Sequence, residues 1–213
     1  MRSTVERRER QREALIDAAE AAIAAEGAAG LKARELAREV GCAVGAIYNL
    51  VSDMDELVLR VGSRTLARLD EALTAAAMEE PPASLVEASD SLVALALAYC
   101  AFARENLQLW RILFEHRIAE GAELPDWSVT DQMILFRHIA RPLARLAPGM
   151  SEAERAVFAR TLFSAVHGVI AIGLEDKLVA VPRRQLESQI ETLVRLICAG
   201  LQARGEKNQG TSD

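Results

Sequence analysis

A segment near the N-terminus, residues 33–52, places a small residue, a glycine and an apolar residue at fixed distances. Counted from Ala33, Ala37 is fifth, Gly41 is ninth and Ile47 is fifteenth. A small side chain lets two helices approach closely, glycine accepts the positive φ of a tight turn, and the apolar side chain fills the gap between the helices. The spacing predicts a helix-turn-helix, and an ordinary helical hairpin with the same apolar spacing is the alternative. Four more apolar residues occupy neighbouring inward positions: Leu36, Val40, Val44 and Leu50.

The rest of the chain favours helix at nearly every position. Ala and Leu make up 65 of the 213 residues, and only 6 Pro and 12 Gly interrupt them. Both residue types lose little side-chain freedom in a helical backbone. We therefore expect an all-α fold, in which a three-helix N-terminal helix-turn-helix domain is joined to a helical bundle. The expected domains are residues 1–58 and 59–205, followed by a polar tail, 206–213, that we expect to be disordered.

Apolar periodicity, caps and prolines set the predicted helix limits. The helix-turn-helix pair is expected at 33–40 and 43–50. Asp53 with Glu56, and Ser151 with Glu154, form two predicted capping boxes at helix starts. Pro142 is expected to kink or divide a helix at 129–146. The other predicted helices cover 6–26, 53 into the seventies, 84–105, 107–119, 151–174 and 182–204.

The charge balance limits how this chain can meet nucleic acid. The net charge is −6, which argues against coating nucleic acid or an anionic membrane by charge alone. Residues 1–60, which include the expected helix-turn-helix domain, hold 9 Lys or Arg and 11 Asp or Glu and therefore also carry a net negative charge. Glutamates interleave with the first arginines, and a solvated charge run is therefore the competing interpretation. The candidates for phosphate contacts are Arg7, Arg8, Arg10, Arg12, Lys32 and Arg34.

The second helix of a helix-turn-helix enters the major groove of DNA. Asn49 is able to hydrogen-bond base edges, and Ala or Val side chains are able to contact a thymine methyl group. Tyr48 is expected to hydrogen-bond phosphate. The predicted outward residues are Ala43, Val44, Gly45, Ala46, Tyr48 and Asn49.

Residues from about Glu13 to Leu57 resemble the TetR family of transcriptional regulators. The resemblance rests on the helix REALIDAAEAAIAAEG, the segment LAREVGCAVGAIY and the close DMDEL. In that family a histidine follows the tyrosine two residues later, and a lysine that contacts phosphate commonly begins the fourth helix. Leu50 and Met54 stand at these two positions, so we expect fewer phosphate contacts. The stretch LFSAVHGVIAIGL also resembles the His-Gly helix of the Trp-His-Gly class of TetR C-terminal domains.

The resemblance implies a homodimer that binds double-stranded DNA. The last two helices of each subunit, Ser151–Leu174 and Pro182–Arg204, would form a four-helix bundle. Gly168 and Gly173 either allow close helix approach between subunits or tolerate crowding within one subunit. A dimer sets two recognition helices roughly 34 Å apart, which implies a palindromic operator.

The resemblance also implies a small-molecule effector, bound between helices of the C-terminal domain, that releases a repressor from its operator. Most Phe, Trp and Tyr residues lie in this part of the chain, which indicates a largely apolar ligand. Arg104 or His116 would serve as a polar anchor. For each of the lining residues taken alone, an ordinary place in the hydrophobic core is the alternative interpretation. The predicted lining is Tyr99, Phe102, Trp110, Phe114, His116, Trp127, Phe136, Phe163 and His167.

Other function classes lack a sequence motif. No HxxxH, GxSxG, GxGxxG or P-loop occurs, so we expect no catalytic residues, cofactor or metal. The three cysteines show no CxxC spacing, which fits a reducing cytoplasm. The uncharged runs 92–103 and 161–174 are shorter than a bilayer span and predict buried helices, with no membrane partner. The alternative function is a helical ligand-binding dimer whose DNA binding is weak or lost.

Overall fold

The computed structural model describes residues 2–116, 124–175 and 179–209, and these ranges are almost entirely helical. No strand occurs among them, and the predicted all-α fold is confirmed. Two 3₁₀ turns, Gly27–Gly30 and Arg183–Gln185, accompany the helices. The α-helices are α1 (Arg2–Glu26), α2 (Ala33–Glu39), α3 (Val44–Ile47), α4 (Met54–Ala76), α5 (Leu85–Glu105), α6 (Leu107–Glu115), α7 (Asp126–Ile134), α8 (Phe136–Leu146), α9 (Glu152–Gly173) and α10 (Leu186–Gln209).

The helices group into two compact units. The first takes its described residues from 1–68 and 105–132, and the second from 69–104 and 133–213. By packing, α6 and α7 therefore belong with α1 to α3. The boundary expected at residue 58 divides the chain by function, and it stays a prediction.

The first unit is built on one core to which α1, α2, α3, α4 and α6 contribute. Apolar residues at helical spacing on α1 meet the inward side chains of α2, α3, α4 and α6. Helix α7 is held to α4 by the guanidinium of Arg60, 5.6 Å from the centre of the Trp127 ring, and by a hydrogen bond from Ser63 to Asp131. The buried core includes Leu15, Ala19, Ile23, Leu36, Ala37, Ile47, Val51, Leu57, Val61, Leu109 and Ile112.

Charged side chains also join α1 to α4 within the first unit. Arg64 donates to Asp17 at 2.6 Å and to Glu13, and Arg68 donates to Glu20 at 2.6 Å. Each guanidinium thus spans from α4 to a carboxylate of α1. Glu13 and Asp17, which contribute to the negative charge of this unit, therefore help to hold α1 against α4 by pairing with Arg64.

The second unit is a bundle centred on α5. This helix is apolar on nearly all sides, and eleven of its residues are buried, as expected for a helix inside a bundle. Buried positions recur along α8, α9 and α10 at helical spacing and complete the core. They include Leu143, Leu146, Leu162, Val166, Ile170, Ile190, Val194 and Leu201.

Two helices of the described chain, α5 and α9, are long and apolar enough to cross a membrane by length and composition alone. Of the most apolar part of α5, 56% is buried inside the protein, as in the core helix of a soluble protein. For α9 the buried share is only 28%. The expectation that both runs form buried helices therefore holds for α5, whereas most residues in the apolar part of α9 are half-buried or exposed in a single chain.

Several predicted helix limits differ from the observed ones. Helix α3 covers only Val44–Ile47 rather than 43–50, because the bonds from Asn49 N–H to Ala46 and from Leu50 N–H to Ile47 tighten its end into a turn. The division expected at Pro142 lies at Leu135 instead, between α7 and α8.

Pro142 lies inside α8, where burial of its ring offsets the one hydrogen bond that its backbone cannot donate. The last helix begins after a 3₁₀ turn and continues to Gln209, so the first four residues of the expected disordered tail, 206–209, are helical. The end of the expected disordered tail, 210–213, lies outside the described residues.

Candidate functional site

The turn between α2 and α3 has the geometry that the spacing predicts. Gly41 adopts φ +70°, in the region that favours glycine, and Cys42 N–H donates to the Ala37 carbonyl at 2.9 Å across the turn. Ala37 and Ile47 are both buried in the core of the first unit. The small residue, the glycine and the apolar plug therefore occupy the positions expected of a helix-turn-helix.

The predicted reading residues surround α3 and the turn after it, which together we call the reading segment, residues 44–50. Val44 is exposed, so its expected inward position is wrong; Gly45 and Asn49 are exposed, and Tyr48 is 50% exposed. Ala46 is half-buried, and Ala43 is the exposed N-cap residue. A single turn of helix thus buries Ile47, covers Ala46 in part and leaves Val44 and Gly45 exposed.

The candidate basic residues differ in what they contact. Arg8 donates from Nη2 to the backbone carbonyl of Asn49 at 2.6 Å. Arg12 pairs with Glu9 at 2.5 Å, as the charge-run interpretation expects. Lys32 lies 3.5 Å from a Glu35 oxygen. Arg7, Arg10 and Arg34 are exposed.

Leu50 and Met54 stand where the family carries a histidine and a lysine, and both side chains are turned partly inward. Each is half-buried and packs against the core of the first unit. The start of α4 is fixed nearby by Asp53, whose carboxylate accepts from Glu56 N–H at 2.7 Å. The Glu56 carboxylate in turn accepts from Ser52 N–H at 2.6 Å, so the predicted capping box forms with its second bond moved by one residue. Burial opposes the ionised form of Glu56, but hydrogen bonds from Ser52 and Arg60 outweigh it and lower the pKa.

An open groove of about 520 Å³ lies between the first turns of α1 and the reading segment. Two of its lining residues, Gln11 and Cys42, are not among the DNA-contacting residues that the sequence predicts. The spacing of Arg8 and Gln11 on one helix face is the only signal of their shared surface. The groove is lined by Arg8, Gln11, Val40, Cys42, Ala46, Tyr48, Asn49 and Leu50.

In the second unit, four of the nine predicted ligand residues form one cluster. The Tyr99 hydroxyl lies 2.9 Å from His167 Nδ1. The Phe163 ring lies 5.5 Å from the Tyr99 ring, stacks on His167 at 5.6 Å, and meets the edge of Phe136 at 5.6 Å. Burial lowers the pKa of His167, which favours the neutral imidazole. Phe102, on the same helix as Tyr99, is buried.

The other four predicted ligand residues belong to the first unit. The Trp110 and Phe114 rings lie 5.5 Å apart, and His116 Nε2 is 3.2 Å from Asp55. Trp127 carries the Arg60 guanidinium described above. The second suggested polar anchor, Arg104, forms an exposed ion pair with Glu187 at 2.8 Å. The predicted lining is therefore distributed over the two units.

Among the described residues, no group of three or more His, Cys, Asp and Glu side chains is placed to hold a metal ion. Cys42, Cys100 and Cys198 are free thiols. Burial raises the pKa of the Cys100 and Cys198 thiols, which disfavours the reactive thiolate.

The fold matches solved structures of low sequence identity. A protein of unknown function from Rhodococcus sp. RHA1 is 24% identical, with a TM-score of 0.66 over 86% of this chain and 93% of that chain. A candidate transcriptional regulator from Pseudomonas aeruginosa PAO1 is 21% identical, with a TM-score of 0.62 over 92% and 94%. A candidate TetR-family regulator from Shewanella sp. PV-4 is 13% identical, with a TM-score of 0.62 over 88% and 95%.

Two family models match the sequence itself. The model of bacterial regulatory proteins of the TetR family matches residues 15–61, which contain the helix-turn-helix. The model of the tetracyclin repressor-like C-terminal domain matches residues 92–197, which contain α9 and most of α5. Members of the family are regulators and not enzymes in general. The chain belongs to the TetR family of DNA-binding transcriptional regulators.

Proposed function

We propose that the protein is a homodimeric, cytoplasmic repressor that binds a palindromic operator and is released by a small, largely apolar effector. One observation carries the DNA-binding part of this proposal. The reading segment buries Ile47 and leaves Tyr48 and Asn49 outward, one turn beyond a glycine in the conformation that the motif requires. Side chains so placed meet base edges and phosphates when the segment enters a major groove.

The expected contacts in the major groove of DNA follow from side-chain chemistry. Asn49 would hydrogen-bond a base edge, with adenine as its best partner, and the Val44 side chain would contact a thymine methyl group. Tyr48 would donate to a phosphate oxygen. The side chains of Arg7 and Arg34 are exposed and supply positive charge for further phosphates. Lys32 would exchange its carboxylate partners for phosphate.

The proposed dimer interface consists of α9 and α10. Apolar side chains on these helices are exposed in a single chain: Val157 is 61% exposed, Ile172 48% and Leu196 66%. Covering such surface is favourable because it removes apolar area from water. The space above Gly168 is open, so a partner helix is able to approach closely there. Gly173 is different, because a Cβ atom there would lie 2.6 Å from Leu186 of the same chain.

The proposed effector site is the cluster of Tyr99, Phe136, Phe163 and His167. Three aromatic rings supply apolar contact area, and the Tyr99–His167 pair supplies polar groups that fix ligand orientation. An effector releases DNA only if it binds better to a state with low operator affinity.

A footprint of the purified protein across its own promoter region, at two salt concentrations, tests the operator proposal. We expect protection of two half-sites about one helical turn apart, weakening steeply as salt rises. Tyr48→Ala should abolish protection while the dimer persists. Val86→Ala, an exposed apolar residue on α5, is the matched control and should protect as the wild type does. Absent or sequence-independent protection would contradict the proposal.

A second candidate function is a ligand-binding dimer with weak or lost DNA binding. Two observations favour it: the net negative charge of residues 1–60, and the inward placement of Leu50 and Met54 where cationic groups would stand. The same footprint decides between the two functions. A wild type that protects no sequence even at low salt, yet sediments as a dimer, would establish the second.

A further inference from the structure

We infer that Arg8 is a positioning residue, which holds the end of the reading segment in place, and that it is not itself a phosphate contact. The inference rests on the proposal that residues 44–50 read DNA. It concerns how α1 takes part in that recognition, and it assigns Arg8 a role that differs from that of the other arginines on the same helix.

The hydrogen bond from Arg8 to Asn49 joins residues 41 positions apart in the sequence. Arg8 Nη2 lies 2.6 Å from the Asn49 carbonyl oxygen, a short bond from a charged donor. The acceptor is the backbone of the very residue whose side chain is the best candidate for base recognition. Fixing that carbonyl also fixes the direction in which the Asn49 side chain leaves the backbone.

The end of the reading segment needs such a partner. Helix α3 has a single turn and is not continued by further helix, so among the described residues no backbone N–H donates to the Asn49 carbonyl that follows it. Asn49 N–H donates to the Ala46 carbonyl, and Leu50 N–H donates to the Ile47 carbonyl. A cation at the C-terminal end of a helix satisfies an unpaired carbonyl and complements the negative end of the helix dipole.

The open groove between α1 and the reading segment explains why a single side chain makes this contact. The space of about 520 Å³ between α1 and the reading segment is lined on one side by Arg8 and Gln11 and on the other by Tyr48 and Asn49. Close packing is thus missing along this side of the segment, and the Arg8 guanidinium spans the gap. On the opposite side the segment is anchored by Ile47, which is buried in the core.

Arg7 provides a matched comparison on the same turn of α1. It is exposed, and its side chain makes no hydrogen bond or ion pair within the described part of the chain. Its guanidinium is therefore available to DNA phosphate, whereas Arg8 is engaged by Asn49. The two adjacent arginines should give different phenotypes when each is changed to alanine.

The test begins with selection from a random-sequence DNA duplex library by the full-length wild type, Arg7→Ala, Arg8→Ala and Asn49→Ala. Asn49→Ala identifies the base pairs that its side chain reads. We expect Arg8→Ala to lose about tenfold in preference at those same base pairs. On the selected duplex, Arg8→Ala should keep the wild-type salt slope, whereas Arg7→Ala should lower the slope by about one and keep the base preference.

Amide hydrogen exchange of the free protein measures the same role without DNA. Arg8→Ala should speed exchange of the Leu50 and Val51 amides, which close the turn after α3, and Arg7→Ala should leave them unchanged. Arg8→Lys keeps the charge on a shorter side chain. It should behave as the wild type if Arg8 is a phosphate contact, and should still lose base preference if Arg8 positions the segment.

Two results would overturn the inference. The first is an Arg8→Ala variant with unchanged base preference and a lower salt slope, as for Arg7→Ala. The second is an Arg8→Ala variant with wild-type exchange at Leu50 and Val51. If the wild type enriches no sequence, the proposal that residues 44–50 read DNA fails by itself, and the exchange rates still decide whether Arg8 holds the segment.

Discussion

The hydroxyl of Tyr99 on α5 lies 2.9 Å from Nδ1 of His167 on α9, and the Phe163 ring stacks against the same imidazole. Two helices of the second unit therefore share a polar contact inside an aromatic surrounding. Burial disfavours the charged imidazole and lowers the pKa of His167 below its ordinary value of 6.5. The unfolded chain binds a proton at this residue more readily than the folded chain does.

Acid should therefore destabilise the second unit through His167. The unfolded state takes up the proton first as pH falls through about 6.5, so the stabilisation is complete above that pH and decreases below it toward the lowered folded pKa. Urea unfolding at fixed protein concentration, from about pH 8 to about pH 5, measures this loss. In His167→Gln the decrease with acid should be smaller. An identical pH profile for the variant and the wild type would exclude the role of His167.

Gly41 and Gly45 form a matched pair for testing the turn of the helix-turn-helix. A Cβ atom would meet no neighbouring atom within 4 Å at either position, so sterics with other residues do not distinguish them. Gly41 has φ +70°, and Gly41→Ala should cost about 1–2 kcal/mol of unfolding free energy. Gly45 lies within α3, and Gly45→Ala should stabilise by up to about 1 kcal/mol. Equal effects in urea titrations would contradict the assigned turn.

Ile47 should be the most sensitive position of α3. Its side chain is fully buried among α1, α2 and α4, and Ile47→Ala leaves a cavity that should cost about 2–5 kcal/mol. Val44 lies three residues earlier and is exposed, so Val44→Ala should change stability by less than about 0.5 kcal/mol. Both free energies come from the same urea titration. A cost at Val44 as large as that at Ile47 would mean that the helix is rotated about its axis.

Local sequence signals predicted much of this structure because their causes lie within a few residues. The positive φ of Gly41 and the burial of Ile47 follow from the spacing of one motif. Ser151 accepts from Glu154 N–H, and the Glu154 carboxylate accepts from Ser151 N–H, as a capping box requires. Each of these features needs no information about distant segments.

Features that depend on distant pairs were not predictable from the sequence. Tyr99 and His167 are 68 positions apart, and their contact exists only because α5 and α9 pack together. Gly168 and Gly173 are two glycines of one helix, yet Leu186 fills the space over Gly173 and the space over Gly168 is open. Composition shows that the aromatic residues are concentrated in one part of the chain, but it carries no information about which helix faces which.

The exposed apolar side chains of α9 and α10 should control dimer formation. Leu196→Glu places a charge on a face that we propose is buried between subunits, and burying an unpaired carboxylate is strongly unfavourable. Val86→Glu on α5 is the control, because Val86 is 68% exposed and Leu196 is 66% exposed. Sedimentation equilibrium should show a dimer for the wild type and Val86→Glu, and a monomer or a dimer at least tenfold weaker for Leu196→Glu, which corresponds to about 1.4 kcal/mol or more. Since the two side chains start equally exposed, a loss of association confined to Leu196→Glu assigns the interface to α10, whereas equal association of both variants would remove that helix from it.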